Sequence, residues 1–286
     1  MNNGNSEVVV SDQEPEPSQQ ETPWAWIKCI RDMCDPIKNP SLHSAMEGKE
    51  LPVPLLPWLY LGDRQSARRL ASGNNQDDDV QVTHILALHP VAPYEEADMQ
   101  ERLKGSGICH LRINCDDTEG YDMIGKHWET CRAFLADVRD KYYEYLQSSK
   151  NTGGDDANVD SSTPIPRVLV HCVAGINRSG LIACAAHMVL ERQPLLEVVR
   201  SCSKQRGSVL WNRSFQRQLC ELAQDEGLLG PMAEGYDNTE PNFWDNFAPP
   251  PPAHDVVVSK DEARFRLALL FQSRSRIVPT EEASKK

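Results

Sequence analysis

Apolar residues along this chain are grouped in two rhythms, separated by stretches with neither. "VQVTHILAL" (80–88) and "RVLVH" (167–171) are apolar, β-rich runs of the kind that form strands buried on both faces. "ICHLRIN" is a shorter strand with alternating faces, and "WLYLG" is a strand candidate near a sheet edge. The prolines of "LPVPLLP" exclude that stretch from a central strand. The second rhythm is helical. Ile124, Trp128, Cys131, Leu135, Val138, Tyr142 and Leu146 recur at spacings of three and four, which predicts a long helix from about Met123 to Leu146. Residues 179–191 are apolar on nearly all sides and predict a central, buried helix. Leu195, Val198, Val199 and Cys202 mark one amphipathic helix. Phe215, Leu219, Leu222 and Ala223 mark another, ending near Gly227, and "SARRLASG" reads as a short helix ending at Gly73. Strands alternating with helices predict an α/β fold with a mainly parallel central sheet of about five strands, flanked by helices on both faces.

The segments without rhythm divide the chain. Residues 1–21 are rich in Gln, Glu, Pro and Ser and predict a disordered tail. Residues 22–50 form an N-terminal extension with a short helix in "TPWAWIKCIRDMCDP", where Thr22 is the expected N-cap, Pro23 the first helical residue, and Ile27, Ile30 and Cys34 share one face. The main domain is expected at 51–229. Within it "NNQDDD" is a solvated loop and 148–166 a flexible insertion rich in Gly, Ser and Asp. Residues 230–286 form an extended C-terminal tail, with a stiff "APPPPAH" spacer and a short helix at 259–273 opened by a Ser259/Glu262 capping box. "RFRLALL" in that helix pairs basic residues with alternating hydrophobics, as kinase docking peptides do. A helix packing on the domain is the competing reading.

Composition narrows the function classes. The formal net charge of −12 argues against coating nucleic acid or an anionic membrane. The nine cysteines are odd in number and include no C-x-x-C, which fits a reducing compartment better than a disulfide framework. The N-terminus shows no basic-then-apolar leader, and the apolar run near Leu181–Leu190 is too short for a bilayer. A cytoplasmic or nuclear location is the expectation.

The chemistry concentrates in "RVLVHCVAGINRSG". A buried strand ends at His171 and Cys172, a tight loop follows, and Arg178, Ser179 and Gly180 open a helix. Backbone N–H groups at that helix start have no intrahelical partner, and with the helix dipole they form a cradle for a tetrahedral anion. Gly175 supplies the backbone freedom of the turn. A thiol placed there beside a guanidinium has a depressed pKa and populates the nucleophilic thiolate. Arg178 offers a planar fork for two phosphate oxygens. Cradle, thiolate and arginine specify phosphoryl transfer through a cysteinyl-phosphate, and no metal or cofactor is required.

"HCVAGINRSG" resembles the H-C-x-x-G-x-x-R-[ST]-G signature of the cysteine-dependent protein phosphatases. "LPWLYLGDRQSA", "VTHILAL" and "SVLWNRSFQRQL" resemble the opening strand, second strand and closing helix of the dual-specificity branch. The resemblance covers about residues 51–229. It implies Cys172 as nucleophile, Arg178 as phosphate clamp, Ser179 as the hydroxyl that helps the sulfur leave, and His171 as the residue bracing the loop and supporting the thiolate. Val173, Ala174, Gly175, Ile176 and Asn177 would offer their backbone N–H groups. The general acid falls in "RINCDDTEG": Asp117 aligns best, Asp116 competes, and Asp122 is farther along. Asn212 matches an asparagine that buttresses the phosphate loop, or else caps the last helix.

The resemblance further implies phosphoprotein substrates carrying phosphotyrosine and phosphoserine or phosphothreonine, and the "RFRLALL" pattern makes protein kinases candidate partners. None of the variable loop positions Val173, Ala174, Ile176 and Asn177 is basic, which disfavours a phosphoinositide substrate. "G-I-N-R" also resembles the loop of cysteine-type RNA 5′-triphosphatases, an alternative that the acidic composition opposes. A phosphate-binding pseudophosphatase is the non-enzymatic alternative, although nucleophile and arginine are both present. Finally, a reactive Cys172 is an oxidation target, with Cys115 or Cys184 as possible disulfide partners.

Overall fold

A computed structural model describes residues 21–35, 52–72, 80–151 and 164–240. The expectations for most of the N-terminal tail, "NNQDDD", most of the insertion, and the C-terminal helix with its capping box and "RFRLALL" lie outside these residues.

The apolar runs assemble into one five-stranded sheet. In chain order the strands are β1 (Val53–Leu56), β2 (Leu59–Gly62), β3 (His84–Leu88), β4 (Cys109–Ile113) and β5 (Val168–His171). Their spatial order is β1-β2-β5-β3-β4. All neighbouring pairs are parallel except β1 with β2. The two most continuous apolar runs, β3 and β5, lie side by side at the centre and are buried at every position. β4 ends the sheet and accordingly shows a more exposed pattern.

One correction concerns the sheet. β2 lies next to the edge, as expected, but the edge itself is a further strand, β1, which contains Pro54. An edge strand tolerates a residue without an N–H, so the proline excluded this stretch from the centre but not from the sheet.

Seven helices occur among the described residues: α1 (Trp24–Cys34), α2 (Arg64–Ala71), α3 (Pro93–Leu103), α4 (Met123–Asn151), α5 (Arg178–Leu190), α6 (Leu195–Arg206) and α7 (Arg213–Asp225). Side chains alternate across the strands, so Leu59, Leu61, Leu86, Val168 and Val170 enter one core with α1 and α4–α7. Tyr60, Ile85 and Leu169 enter a smaller core with α2 and α3 on the other face. α5 is buried from Arg178 to Val189, as its all-round apolarity requires. Each aliphatic side chain placed there contributes about 1.5–3 kcal/mol.

α3 is absent from the sequence reading. Only Met99 and Leu103 of it are buried, too few to set a period, although Pro93 in the first turn, Glu95 and Glu96 there, and Arg102 in the last turn are helix-boundary signals. α1 buries Ile27, Ile30 and Cys34 as expected, but begins one residue later, with Pro23 rather than Thr22 at the N-cap. It is clasped by the segment after α7. Asn238 accepts from the Ala25 N–H at 3.3 Å, Asp237 pairs with Lys28 at 2.7 Å, and the Tyr236 hydroxyl donates to Asp32 at 3.1 Å.

Candidate active site

β5 delivers His171 and Cys172 to the carboxyl end of the sheet, and α5 starts six residues later. The loop between them wraps the Cys172 sulfur. Cys172 is 1% exposed, and its Sγ accepts from the Gly175 N–H at 3.3 Å and the Ser179 hydroxyl at 3.1 Å. Gly175 has φ +68°, and a Cβ there would lie 2.6 Å from the Gly62 carbonyl oxygen. Both the turn and the close approach to β2 therefore demand glycine.

The loop's carbonyls point outward, each tied to the scaffold. Val173 O accepts from the Arg64 N–H (3.4 Å), Ile176 O from the Leu210 N–H (3.1 Å) and Asn177 O from the Leu181 N–H (2.7 Å). Arg206, at the end of α6, is buried and donates to the carbonyls of Ala174 (3.0 Å) and Gly175 (3.1 Å). Sequence reasoning missed this arginine. Its one signal is a charged residue, immediately before Gly207, at the end of an otherwise amphipathic helix. Turning carbonyls outward leaves the interior of the loop to N–H groups, the arrangement an oxyanion needs.

Arg178 is 7% exposed; its Nη1 donates to the Cys115 carbonyl at 3.1 Å, and its Nε lies 3.6 Å from Asp117 Oδ2. The carboxyl of Asp117 thus faces the anion cradle. Its pKa is raised above the ordinary carboxylate value, chiefly by burial, against the opposing pull of Arg178 and of hydrogen bonds from Asn212 and Asn177. The residue as a whole is exposed and its side chain is 31% exposed, so the carboxyl sits at the mouth of the site, still open to solvent. Asp116 lies exposed, and Asp122 instead caps α4 by accepting from the Gly125 N–H at 2.8 Å.

His171 is fully buried. Its Nδ1 contacts the Cys172 carbonyl at 3.3 Å, and its ring meets that of His89 edge-on at 5.3 Å. Burial, with His89 adding to it, holds the His171 pKa well below 6.5. A neutral imidazole braces the backbone at Cys172 as a donor. It brings no positive charge to the sulfur. His89 is likewise pushed down to about 4 by burial. The sequence reading gave His89 no role beyond ending its strand.

Asn212 does two things. Its Oδ1 caps α7, accepting from the N–H groups of Ser214 (3.0 Å) and Phe215 (3.3 Å). Its Nδ2 reaches Asp117 at the carbonyl (3.4 Å) and Oδ1 (3.5 Å). The side chain therefore supports the loop that carries Asp117. The link to the phosphate loop comes from the other direction: Asn177 Oδ1 accepts from the N–H groups of Trp211 (2.8 Å) and Asn212 (3.1 Å). Two further residues pin the acid loop to α7. Glu119 accepts from the N–H groups of Arg213 (3.0 Å) and Ser214 (2.9 Å), and Gln218 Oε1 accepts from those of Met123 (2.8 Å) and Ile124 (3.0 Å).

All nine cysteines are unpaired, Cys109 alone being exposed. Cys115 lies near enough to Cys172 for their charges to interact, but burial pushes its thiol up to about 12. Cys184 faces Cys202 on α6, so of the two suggested disulfide partners only Cys115 adjoins the site. Among the described residues no His, Cys, Asp and Glu group could hold a metal ion, and no helix is long and apolar enough to cross a membrane.

Comparison with known proteins finds similar sequences and folds. Residues 159–225 match the family model "Dual specificity phosphatase, catalytic domain". The bovine (Bos taurus) dual specificity protein phosphatase 26 is 28% identical over 167 residues, covering 58% of this chain and 64% of the relative. The rat (Rattus norvegicus) dual specificity protein phosphatase 4 is 27% identical over 209 residues, covering 73% of this chain and 44% of the relative. The chain thus spans less than two thirds of the length of these relatives. The solved structure of DUSP15 superposes with a TM-score of 0.42 at 25% identity, over 65% of this chain and 97% of that one. The matched segment includes the Cys172–Gly180 loop, and over that segment the chain is similar to the catalytic domain of dual specificity phosphatases.

Proposed function

We propose that this chain is a protein phosphatase that hydrolyses phosphotyrosine and phosphoserine or phosphothreonine through a cysteinyl-phosphate. One observation carries the reading: the Cys172 sulfur sits at the centre of a loop whose Gly175 N–H and Ser179 hydroxyl both donate to it, with Arg178 and Asp117 paired alongside. The family match and the names of the relatives point the same way.

In this reading the phosphoryl group enters the loop and its oxygens take up the inward N–H groups and the Arg178 guanidinium. The Cys172 thiolate attacks phosphorus. The bond to the substrate oxygen breaks, and Asp117, kept protonated to higher pH by its burial, gives that oxygen its proton. Water then attacks the thiophosphate, with Asp117 taking back the proton. The Ser179 hydroxyl donates to the departing sulfur. The His171, Arg206 and Asn177 side chains hold the loop in place and touch no substrate atom.

Asn177 was the residue that suggested an RNA 5′-triphosphatase. Its side chain is occupied by two backbone N–H groups, which accounts for an asparagine there without reference to substrate. Rapid quench of the protein with a radiolabelled phosphotyrosine peptide tests the proposal. A phosphate label stable to denaturation should appear on Cys172, and Cys172→Ser should carry none. Turnover without a labelled protein would overturn the cysteinyl-phosphate route. Release of phosphate from triphosphorylated RNA and not from phosphopeptides would overturn the substrate class.

A further inference from the structure

Two loops must meet for the proposed reaction: the phosphate loop around Cys172 and the loop that carries Asp117. The Asp117 side chain is 31% exposed, and its own contacts are long. Arg178 Nε lies 3.6 Å from its carboxyl, and Asn212 Nδ2 reaches it at 3.4 and 3.5 Å, with the Asn177 side chain also beside it. Contacts of that length do not by themselves fix a proton donor over a leaving oxygen.

The residues that follow are held more firmly. The Thr118 carbonyl accepts from the Tyr121 N–H at 3.1 Å, closing a turn in which Gly120 has φ +83°. The turn presents Glu119 to the start of α7. Its Oε1 accepts from the Arg213 N–H at 3.0 Å and its Oε2 from the Ser214 N–H at 2.9 Å. Both bonds are charge-assisted, and they come from the positive end of the helix dipole. They are shorter than the Arg178 and Asn212 contacts of Asp117. On the far side of the turn, Gln218 donates to the Tyr121 carbonyl at 2.7 Å and accepts from Met123 and Ile124. The turn is therefore anchored to α7 on both sides.

The same short stretch anchors the other loop. The N–H groups of Trp211 and Asn212 both donate to Asn177 Oδ1, at 2.8 and 3.1 Å, immediately before Arg178. Four consecutive N–H groups, from Trp211 to Ser214, are thus shared out: the first two to the phosphate loop, the next two to the loop of Asp117.

We propose that residues 211–214 set the register between nucleophile and acid, and that Glu119 is the positioning residue that docks Asp117 over the phosphate loop. This rests on the phosphatase reading above, with Asp117 as the proton donor. Glu119 touches no substrate atom; it acts through Asp117, two residues away. Proton transfer depends steeply on placement, and a displacement of about 1 Å can cost about 100-fold in rate. The effect of losing Glu119 therefore belongs to substrates whose leaving oxygen needs a proton.

The test compares leaving groups in the full chain. Glu119→Ala should lower kcat/KM on a phosphothreonine peptide by about tenfold, because an alkoxide departs slowly without a proton. On dinitrophenyl phosphate, whose leaving oxygen needs no proton, the loss should stay within about twofold. A residue that merely holds the fold together would lower both rates alike. Glu119→Gln keeps one acceptor oxygen and should recover part of the peptide activity; if Glu119→Ala does not fold, this variant carries the same comparison. In an Asp117→Ala background, adding Glu119→Ala should cost nothing further on the peptide. An equal loss on both substrates, no loss on either, or a full additional loss on top of Asp117→Ala overturns the positioning role and leaves the phosphatase reading intact. If Asp117→Ala itself lowers both substrates equally, or the unmodified protein hydrolyses neither, the reading beneath the proposal fails and the proposal with it.

Discussion

Asparagine stands at the N-cap of both α5 and α7, and the two helix starts have opposite fates. At α7, Asn212 folds its side chain back onto Ser214 and Phe215, and the Glu119 carboxylate occupies the N–H groups of Arg213 and Ser214. That end already holds an anion of the protein's own. At α5, Asn177 makes no capping bond; its side chain is turned away to Trp211 and Asn212. The first N–H groups there are left for whatever enters the loop around Cys172. A helix N-terminus becomes an anion site only where the residues that would normally satisfy it have been engaged elsewhere.

The strongest way to probe this contrast is Asp117→Ala, which removes the proposed proton donor over the open end while the closed end keeps Glu119 and its cap. We expect kcat to fall by about 10²–10³-fold with little change in melting temperature. Because the carboxyl pKa is raised, Asp117 stays protonated above the ordinary carboxylate range, and activity should decline as pH rises through that pKa. The variant should lose this alkaline decline, as pH–rate profiles on an alkyl phosphoester would report. Retention of the decline would assign the acid to another group.

Gly175→Ala attacks the open end itself. A methyl group would meet the Gly62 carbonyl at 2.6 Å in a backbone conformation of φ +68°. Turnover should drop by at least about tenfold, with stability lowered by more than about 1 kcal/mol in urea titration.

Comparing the two asparagines sharpens the distinction. Asn212→Ala removes a cap and should cost about 1 kcal/mol of stability. Asn177→Ala removes the acceptor of two backbone N–H groups and should cost about 1–3 kcal/mol, with a larger loss of kcat per unit of stability. Equal losses of kcat at equal stability would mean that the two caps do the same work.

The smallest effect at neutral pH concerns His89 and His171 behind the loop. Both are neutral when folded, while an unfolded histidine protonates near pH 6.5. Stability is therefore complete above about pH 6.5 and falls as the solution is acidified toward pH 4, where His89 itself takes a proton. His89 alone accounts for a loss of up to about 3 kcal/mol over that interval. Thermal melts of His89→Phe should show a shallower acid dependence, and an unchanged slope would remove His89 from the account.

How much of this was legible follows from what each element uses to hold itself. β3, β5 and α5 are set by local apolar runs, and their places could be read directly. The turn from His171 to Gly180 was legible because it is set by ten consecutive residues. α3 was not, since it buries only two side chains. Arg206, Glu119 and Gln218 were also invisible, because each acts across a gap in sequence: Arg206 on Ala174 and Gly175, Glu119 on Arg213, Gln218 on Met123. Spacing along the chain carries no trace of such partners. Asn212 was half legible; its capping signal is local, whereas its contact with Asp117 is not.

The clasp on α1 has a practical consequence. Asn238 serves as a borrowed cap for a helix more than two hundred positions upstream, and Asp237 and Tyr236 anchor the same turns. Trimming the polypeptide after Gly230 would therefore unravel material at its opposite flank, and a phenotype seen in such a shortened protein would report on both ends at once. Cutting instead beyond Glu240 would separate them.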